Sequence, residues 1–338
     1  MKKNTILLAH GSGGKMSHDL IREIFMKYFS NSTLEAETDS AILEGRPGWF
    51  AFTTDSYVVS PLFFAGGDIG ALAVCGTIND LSVSGAQPVA ISASFILEEG
   101  LPMEVLERIV RSMAGASVKA GVPVVTGDTK VVEHGKCDQV FINTAGVGWI
   151  KPEYRDISYG NKIRPGDKII LNGPVGDHGV AILAARESLD ISSDIRTDSA
   201  PLNALIRSVL DAGIEVHFMR DPTRGGLATV LCEIAEKNKL GIDIREKEVP
   251  VKETVKNICE VFGYDPLYLA NEGKVVMVVP GEQADKAVGI IRSHNFGKEA
   301  CVIGEVTHNH PGKVVMQTEI GGSRIVDMLA GEQLPRIC

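Results

Sequence analysis

The stretch DIGALAVCGTINDLSVSG, residues 68–85, predicts a helix that organises the first half of the chain. Its apolar side chains recur at three-residue intervals, as they do where one face of a helix packs on a sheet. Segments of strand-like composition lie on both sides of it, at residues 49–53 and 88–97. A helix set between strands indicates an α+β unit. The apolar positions are Leu72, Cys75, Ile78 and Leu81.

The alternation of helices and strands continues outward from this segment in both directions. A polar connector, KPEYRD at residues 151–156, separates a first unit from a second. We therefore expect an α+β fold with two domains, residues 1–150 and 151–328, and a mobile tail over residues 329–338. The other predicted strands cover residues 5–9, 123–126, 139–147, 168–171, 274–279 and 314–318, and the other helices follow a cap at Ser17 or cover residues 102–120, 178–188, 201–212, 227–238 and 251–262.

Composition and charge exclude several classes of protein. The 338 residues include 34 basic and 43 acidic side chains, and no segment concentrates Lys and Arg, which argues against nucleic-acid binding. No apolar run approaches the roughly 20 residues that span a bilayer, and the first residues lack a signal-peptide core. We therefore expect a cytoplasmic protein without a membrane segment. The six cysteines form no Cys-x-x-Cys pair, which disfavours zinc knuckles and disulfide frameworks.

The loop HGSGGK, residues 10–15, is the first candidate ligand site. Glycines between a strand and a helix let backbone N–H groups approach a phosphate. The loop is not a Walker A motif, because Met16 stands where that motif requires Ser or Thr, and a plain turn explains it equally well. Its candidate nucleotide-binding residues are Gly11, Gly13, Gly14 and Lys15.

Three acidic motifs follow apolar strands: TTDS with Asp55, TGDTK with Asp128 and RDPTRGG with Asp221. Carboxylates at the ends of elements suit hard cations such as Mg²⁺. A turn or helix-capping aspartate explains each motif taken alone, whereas the three together favour a shared metal and phosphate site. Further candidate nucleotide-binding residues in these motifs are Thr129, Arg224 and Gly225, together with Asp128.

The helix predicted over residues 68–84 carries two more acids, and they differ in what local structure explains. Asp68 stands at the helix start, where the dipole favours an acid without any function. Asp80 lies near the helix end, where a negative charge costs about 0.3–1 kcal/mol unless a cation compensates it, so Asp80 is the better metal candidate. Twelve residues of unbroken helix span about 18 Å, so a single ion cannot contact both.

Cys338, the last residue of the chain, is the most distinctive feature of the sequence. A thiol on a mobile arm can be loaded in one place and delivered to another. Prenylation is excluded, because that signal needs three residues after the cysteine. The other five cysteines lie in apolar or mixed segments and are expected to be inert.

Two further polar groups have plain structural interpretations. Glu272 and Lys274, just before a predicted strand, fit a hairpin turn with a solvated ion pair. His308 and His310 could share a metal, but no third ligand is near them in the sequence, which favours a polar turn.

Taken together, these motifs resemble the HypE family of hydrogenase maturation proteins, within the superfamily of aminoimidazole ribonucleotide synthetase and selenophosphate synthetase. The resemblance runs through nearly the whole chain, and the closing Pro-Arg-Ile-Cys distinguishes this family from others in the superfamily. The segments that carry it are residues 10–14, 54–56, 79–86, 127–132, 220–227, 271–273 and 335–338.

The resemblance implies a homodimer of two-domain chains that bind ATP and Mg²⁺. It also implies that a HypF-type carbamoyltransferase loads a carboxamide onto Cys338, that ATP drives its dehydration to a thiocyanate, and that cyanide passes to iron on a HypC–HypD complex. By the same resemblance, Glu272 is the base and Lys130 orients the carboxamide or stabilises phosphate. The metal ligands so implied are Asp55, Asp68, Asp80 and Asp221, with Asp128 as a further candidate.

Two other classes of function stay open at this stage. A small-metabolite kinase or synthetase of the same superfamily would use the same nucleotide site. A non-catalytic carrier would pass on the tail thiol while the acidic loops bind metal structurally. A selenophosphate synthetase is disfavoured, because the first cysteine of this chain is Cys75 and the Gly-rich segment has none.

Overall fold

A computed structural model describes residues 5–36, 40–187, 195–329, 331, 334 and 336–338. The first half of the chain forms a four-stranded sheet in the order β1-β6-β4-β5, covered on one face by helices, and β2 pairs with β3. Its strands are β1 (Trp49–Tyr57), β2 (Phe63–Phe64), β3 (Gly67–Asp68), β4 (Ala86–Glu98), β5 (Val124–Val132) and β6 (Val140–Ile150). Its helices are α1 (Lys15–Leu20), which a π-helical segment (Ile21–Met26) joins to α2 (Lys27–Phe29), then α3 (Ile69–Val83) and α4 (Met103–Ala120).

The second half forms a seven-stranded sheet in the order β13-β12-β9-β11-β7-β10-β8. Its strands are β7 (Lys168–Leu171), β8 (Phe218–Arg220), β9 (Gly241–Arg245), β10 (Val276–Val279), β11 (Cys301–Thr307), β12 (Val314–Gln317) and β13 (Ser323–Val326). Its helices are α5 (Asp177–Arg186), α6 (Asn203–Asp211), α7 (Gly226–Asn238), α8 (Glu253–Phe262) and α9 (Ala284–Arg292). The predicted α+β class is confirmed. Among the described residues, no helix combines the length and apolar character needed to cross a bilayer.

Two local predictions near the start of the chain are wrong. Residues 5–9 do not form a strand: Thr5 makes an isolated bridge to Pro102, and a 3₁₀ turn over Leu8–Gly11 follows. The turn forms in place of a strand because the His10 ring accepts a hydrogen bond from the Leu7 N–H. Ser17 is not a cap either, since α1 begins two residues earlier, after Gly14.

Alternation along β1 decides which of its residues meet helix α3. Thr53, Asp55 and Tyr57 lie on the face that α3 covers, and the Thr53 hydroxyl donates to Asp80 on that helix at 2.8 Å. Phe52 and Ser56 lie on the opposite, exposed face of the sheet. This arrangement points the Asp55 side chain toward the end of α3 that carries Asp80.

Helix α3 approaches α4 closely at Gly70. A Cβ added at Gly70 would lie 2.5 Å from the Ile109 carbonyl oxygen, whereas one added at Gly115 of α4 would meet nothing within 4 Å. We expect Gly70→Ala to lower the free energy of unfolding by about 1–3 kcal/mol, because the helices must separate. The matched change Gly115→Ala should raise it by up to about 1 kcal/mol, because alanine favours helix. Urea unfolding measures both, and equal shifts would contradict the close approach.

Candidate active site

Four carboxyl groups from separate elements influence one another where the two halves of the chain meet. Asp55 comes from β1, Asp80 from α3, Asp221 directly follows β8, and Glu272 precedes β10. Burial, followed by repulsion from Asp221 and Asp55, raises the pKa of Asp80 to about 8. Burial and the charge of Asp55 raise the pKa of Asp221 to about 6. We call these four residues the acidic cluster.

Glu272 is the most deeply buried member of the acidic cluster, with 3% of its surface exposed. Burial comes first among the causes that hold its pKa well above the ordinary value, and the charges of Asp221, Asp198, Asp55 and Asp80 add to it. The pKa of three members is therefore raised, which shows that the surrounding protein leaves their negative charge incompletely neutralised.

The acidic cluster fits Mg²⁺ in its donor chemistry but does not form a finished cage. Its ligands are hard carboxylate oxygens of the kind that Mg²⁺ prefers. Within the described residues, however, no three His, Cys, Asp or Glu side chains are already placed to hold one ion. Magnesium usually keeps several waters and completes its shell with substrate phosphates, so such a site is expected to close only with a nucleotide present.

The loop that carries Glu272 is fixed by a buried carboxylate. Asp198 accepts hydrogen bonds from the backbone N–H groups of Glu272 at 3.0 Å and Gly273 at 3.3 Å, and from Lys274 Nζ at 2.9 Å. Burial opposes the charge of Asp198, but the charges of Lys274 and His178 and the hydrogen bonds from the Glu272 N–H and Lys274 together outweigh burial and hold the pKa of this carboxyl below its usual range. The expected solvated pair of Glu272 with Lys274 is wrong: both are buried, and Lys274 pairs with Asp198.

Asn79, the residue before Asp80, ties the same loop to its surroundings. Its amide donates to the carbonyls of Glu272 at 3.2 Å and Ala200 at 3.0 Å, and its side-chain oxygen accepts from the Leu202 N–H at 2.8 Å. Sequence reasoning missed both Asn79 and Asp198 as supports of Glu272, because they act across more than 70 residues of chain and carry no local motif.

The Gly-rich loop lies beside β5, where the predicted nucleotide residues gather. A cavity of about 230 Å³ is lined by His10, Gly11 and Gly13 on one side and by residues 127–130 on the other. A Cβ on Gly11 would lie 2.6 Å from the Val131 nitrogen, so only glycine permits this approach. Gly14 is the N-cap of α1, and Lys15 points instead to Asp19, at 2.9 Å.

Asp128 and Lys130 form an exposed ion pair at the edge of the cavity between the Gly-rich loop and β5. Lys130 Nζ lies 2.9 Å from Asp128 Oδ1 and lowers the pKa of that carboxyl, and the Thr129 N–H donates to the same oxygen. Register places Asp128 level with Ser56 across three strand spacings, about 14 Å. Asp128 and Ser56 thus share the open face of the sheet, whereas Asp55 faces α3.

The structure does not bring Asp68 to the acidic cluster within one chain. Its carboxylate caps α3, accepting from the N–H groups of Gly70 at 2.8 Å and Ala71 at 3.0 Å. The unbroken helix of fifteen residues then separates it from Asp80. The local role that the sequence suggested for Asp68 is the one observed.

The end of the chain docks on the segment that follows β1, the strand that carries Asp55. The N–H groups of Val58 and Ser60 donate to the carbonyls of Cys338 at 3.0 Å and Arg336 at 3.4 Å, the pattern of an antiparallel pair. Cys338 lines a cavity of about 610 Å³ together with Ser56, Arg224 and Gly225. Residues 330, 332, 333 and 335 of the segment predicted to be mobile lie outside the described residues. Its last three residues are held in place.

The architecture and the site define the class of the protein. Family models for the N-terminal and C-terminal domains of AIR synthase related proteins match residues 37–150 and 164–317. Each span contains two members of the acidic cluster: Asp55 and Asp80 fall in the first span, and Asp221 and Glu272 fall in the second.

Within that class, the chain belongs to the carbamoyl dehydratase HypE family. It is 50% identical over 338 residues to carbamoyl dehydratase HypE of Azotobacter vinelandii, covering 100% of this chain and 98% of that protein. A crystal structure of hydrogenase maturation protein HypE in complex with ATP matches with a TM-score of 0.95 and 48% identity, covering 99% of this chain and 100% of that one. The structure of a HypE–HypF complex matches with a TM-score of 0.79 and 48% identity, covering 92% and 99%.

Proposed function

We propose that the protein dehydrates a carboxamide on the Cys338 sulfur to a thiocyanate at the expense of ATP. The observation that carries the proposal is the docked tail, because the Cys338 carbonyl is bonded to Val58, three residues from Asp55 of the acidic cluster. The tail thus docks on the segment that follows β1, the strand that carries Asp55, and the proposal requires the loaded sulfur to reach the acidic cluster from there. The ATP complex of a relative 48% identical to this chain supports nucleotide binding.

The chemistry balances with one ATP for each carboxamide. The carboxamide oxygen takes the γ-phosphoryl group of ATP, which releases ADP and turns a poor leaving oxygen into phosphate. Loss of the nitrogen protons and of phosphate then gives the S–C≡N group, so the sum is thiocarbamate plus ATP to thiocyanate, ADP and phosphate. Bound Mg²⁺ would neutralise phosphate charge, with Asp55, Asp80 and Asp221 as its holders.

We assign the proton-abstracting role to Glu272. Its raised pKa keeps the side chain protonated while the acidic cluster is empty, and a cation held by its three neighbours would favour the carboxylate. Asp198 and Asn79 hold the loop in place during this change. The Gly-rich loop with Asp128, Thr129 and Lys130 is proposed to contact the nucleotide and the carboxamide, and Arg224 and Gly225 to line the tail cavity.

The partner proteins and the cellular compartment are part of the same proposal. A HypF-type carbamoyltransferase would load Cys338, consistent with the HypE–HypF complex of a relative, and a HypC–HypD complex would receive cyanide for the iron of a [NiFe]-hydrogenase. We also propose that these steps occur in the cytoplasm. The division into residues 1–150, 151–328 and a tail follows the two sheets.

A second copy of the chain is proposed to cover the open face of the first sheet. Phe50, Phe52 and Ile96 expose 58%, 71% and 43% of their surface there, an apolar face that a monomer would leave in water. We expect Phe52→Glu to convert a dimer to a monomer in sedimentation equilibrium. Ile320→Glu, at a residue 96% exposed elsewhere, is the matched control. A Phe52→Glu dimer of wild-type affinity would contradict this interface.

The experiment that tests the function follows the mass of the C-terminal peptide. Carbamoylated protein incubated with MgATP should lose one water, about 18 Da, at that peptide, in step with ADP formation. A carrier would leave the peptide mass unchanged, and a small-metabolite kinase would form ADP only when a free substrate is added.

Asp80→Asn tests the metal role through two opposite effects. ATP turnover should fall about tenfold or more, because a ligand for phosphate-bound Mg²⁺ is lost.

Stability without Mg²⁺ should instead improve at pH 8. The folded-state pKa of about 8 lies above the ordinary value of 3.8, so the wild type loses stability as pH rises between them, and asparagine does not titrate. ATPase assays and melting curves at pH 5.5 and 8 measure both, with exposed Asp211→Asn as control. Equal losses of turnover and stability would make Asp80 a structural residue.

A further inference from the structure

The docked tail makes one side-chain contact that the proposed chemistry does not use. His178, in the first turn of α5, is fully buried, and its Nε2 lies 2.9 Å from the carbonyl oxygen of Ile337. Its Nδ1 lies 2.7 Å from the hydroxyl of Thr197. A buried histidine bonded on one side to the residue before Cys338 is placed to recognise the tail.

The hydrogen-bond partners define which ring nitrogen carries the proton. A carbonyl oxygen can only accept, so Nε2 must be the donor to Ile337. Burial lowers the pKa of His178, which favours a neutral ring with an unprotonated Nδ1. That nitrogen accepts the Thr197 hydroxyl proton, and the hydroxyl oxygen accepts the Ser199 N–H at 3.1 Å. Each donor in this series of hydrogen bonds, from Ser199 through Thr197 and His178 to Ile337, therefore has an acceptor.

Packing fixes the ring in the same orientation. The Phe64 ring meets the His178 ring edge to face, with centroids 5.7 Å apart. Arg186, at the other end of α5, donates to the Ser60 carbonyl at 2.6 Å and to the Arg336 carbonyl. Helix α5 therefore offers two side chains to successive carbonyls of the tail, those of Arg336 and Ile337.

We propose that His178, oriented by Thr197, is a binding residue for the tail that sets the position of Cys338 through the carbonyl of Ile337. The donor recognises main chain, so it selects the placement of the thiol rather than the identity of the side chain at residue 337. The inference rests on the proposed function for its catalytic consequence, because a tail held here keeps Cys338 in the cavity that Ser56, Arg224 and Gly225 line. Docking itself can be measured without catalysis.

The test is the rate at which iodoacetamide alkylates Cys338, read at the C-terminal peptide that cleavage after Glu332 releases. His178→Leu removes the donor, and we expect alkylation about three- to tenfold faster than in the wild type, as loss of one hydrogen bond predicts. His178→Gln keeps an N–H near the position of Nε2 and should restore a rate close to wild type. Equal rates in wild type, His178→Leu and His178→Gln would overturn the proposal.

An internal control separates tail release from unfolding. Cys75 and Cys259 are buried, and both should stay unlabelled while Cys338 reacts. If His178→Leu labels them, Thr197→Val becomes the deciding variant, since it keeps the shape and removes the hydroxyl that orients the ring. Faster Cys338 labelling in Thr197→Val with Cys75 protected supports the proposal, and an unchanged rate overturns it.

The same variants distinguish this inference from the proposed function. Altered alkylation with no water loss in wild-type protein would support the tail contact and reject the dehydratase. Water loss in the wild type with unaltered alkylation in every variant would do the reverse. If both hold, His178→Leu should lower the rate of thiocyanate formation while His178→Gln recovers it.

Discussion

We expect Cys338→Ala to abolish carbamoyl loading and thiocyanate formation while the fold and ATP binding persist. The other five thiols cannot substitute, because burial raises the pKa of each of them: Cys75 to about 12, Cys232, Cys259 and Cys301 to about 11, and Cys137 above its usual value. A protonated thiol is a poor nucleophile. None of the five shares the cavity in which Cys338 lies beside Ser56 and Arg224.

Peptide mass spectrometry after incubation with the loading enzyme measures this outcome, and nucleotide-dependent melting confirms that ATP still binds. Cys301→Ala, at a half-buried thiol in the second sheet, is the matched control and should load like the wild type. Carbamoylation retained in Cys338→Ala would move the acceptor to another residue and remove the basis of the proposed function.

Glu272→Gln should stop the elimination of phosphate that forms the nitrile and leave the phosphorylating half of the site intact. Glutamine has the same shape and keeps the backbone contacts with Asp198, but it cannot take a proton from nitrogen. General-base catalysis contributes about 10²- to 10⁴-fold, so thiocyanate formation should fall by that factor. Stability should not fall, because a buried carboxyl repelled by its neighbours is removed.

A single-turnover assay on carbamoylated protein measures the effect at the C-terminal peptide. Glu319→Gln, at an exposed residue, serves as the control, and its rate should equal that of the wild type. Dehydration by Glu272→Gln within a few-fold of the wild-type rate would assign the proton to a different group. A large loss of stability would instead make Glu272 a structural residue.

The sequence predicted best the elements whose periodicity is strong. Helices α3 and α4 begin and end within two residues of expectation. A capping residue marks one end of each helix: Asp68 precedes α3, and Gly121, with its positive φ, follows α4. Strands β2, β3, β8, β9, β11 and β13 and helix α9 were not predicted. Most of these strands are short, and pairing with neighbouring strands rather than local pattern determines them. The predicted helix over residues 178–188 ends at Arg186, and residue 188 lies outside the described residues.

The site was predictable in its residue types but not in its arrangement. Asp55, Asp80, Asp221 and Glu272 come together from four segments that the motifs marked. Their supports, Asp198 and Asn79, have no local signature, because each acts on a segment distant in the chain. The faces of the first sheet were also not predictable, and they place Lys130 on the side opposite to Asp55. How the proposed contacts of Lys130 reach the carboxamide therefore depends on what covers that face.

Main-chain pairing of the tail with residues 58–60 makes the pairing register more important for the position of the sulfur than the identity of the tail side chains. Neighbouring positions of an extended segment point in opposite directions, so a single residue inserted between Ile337 and Cys338 would turn the sulfur to the other side while the contacts of the Arg336 and Ile337 carbonyls persist. Two inserted residues would restore its direction but displace it by about 7 Å. Substitutions of Ile337 that preserve an apolar contact should be tolerated far better than either insertion.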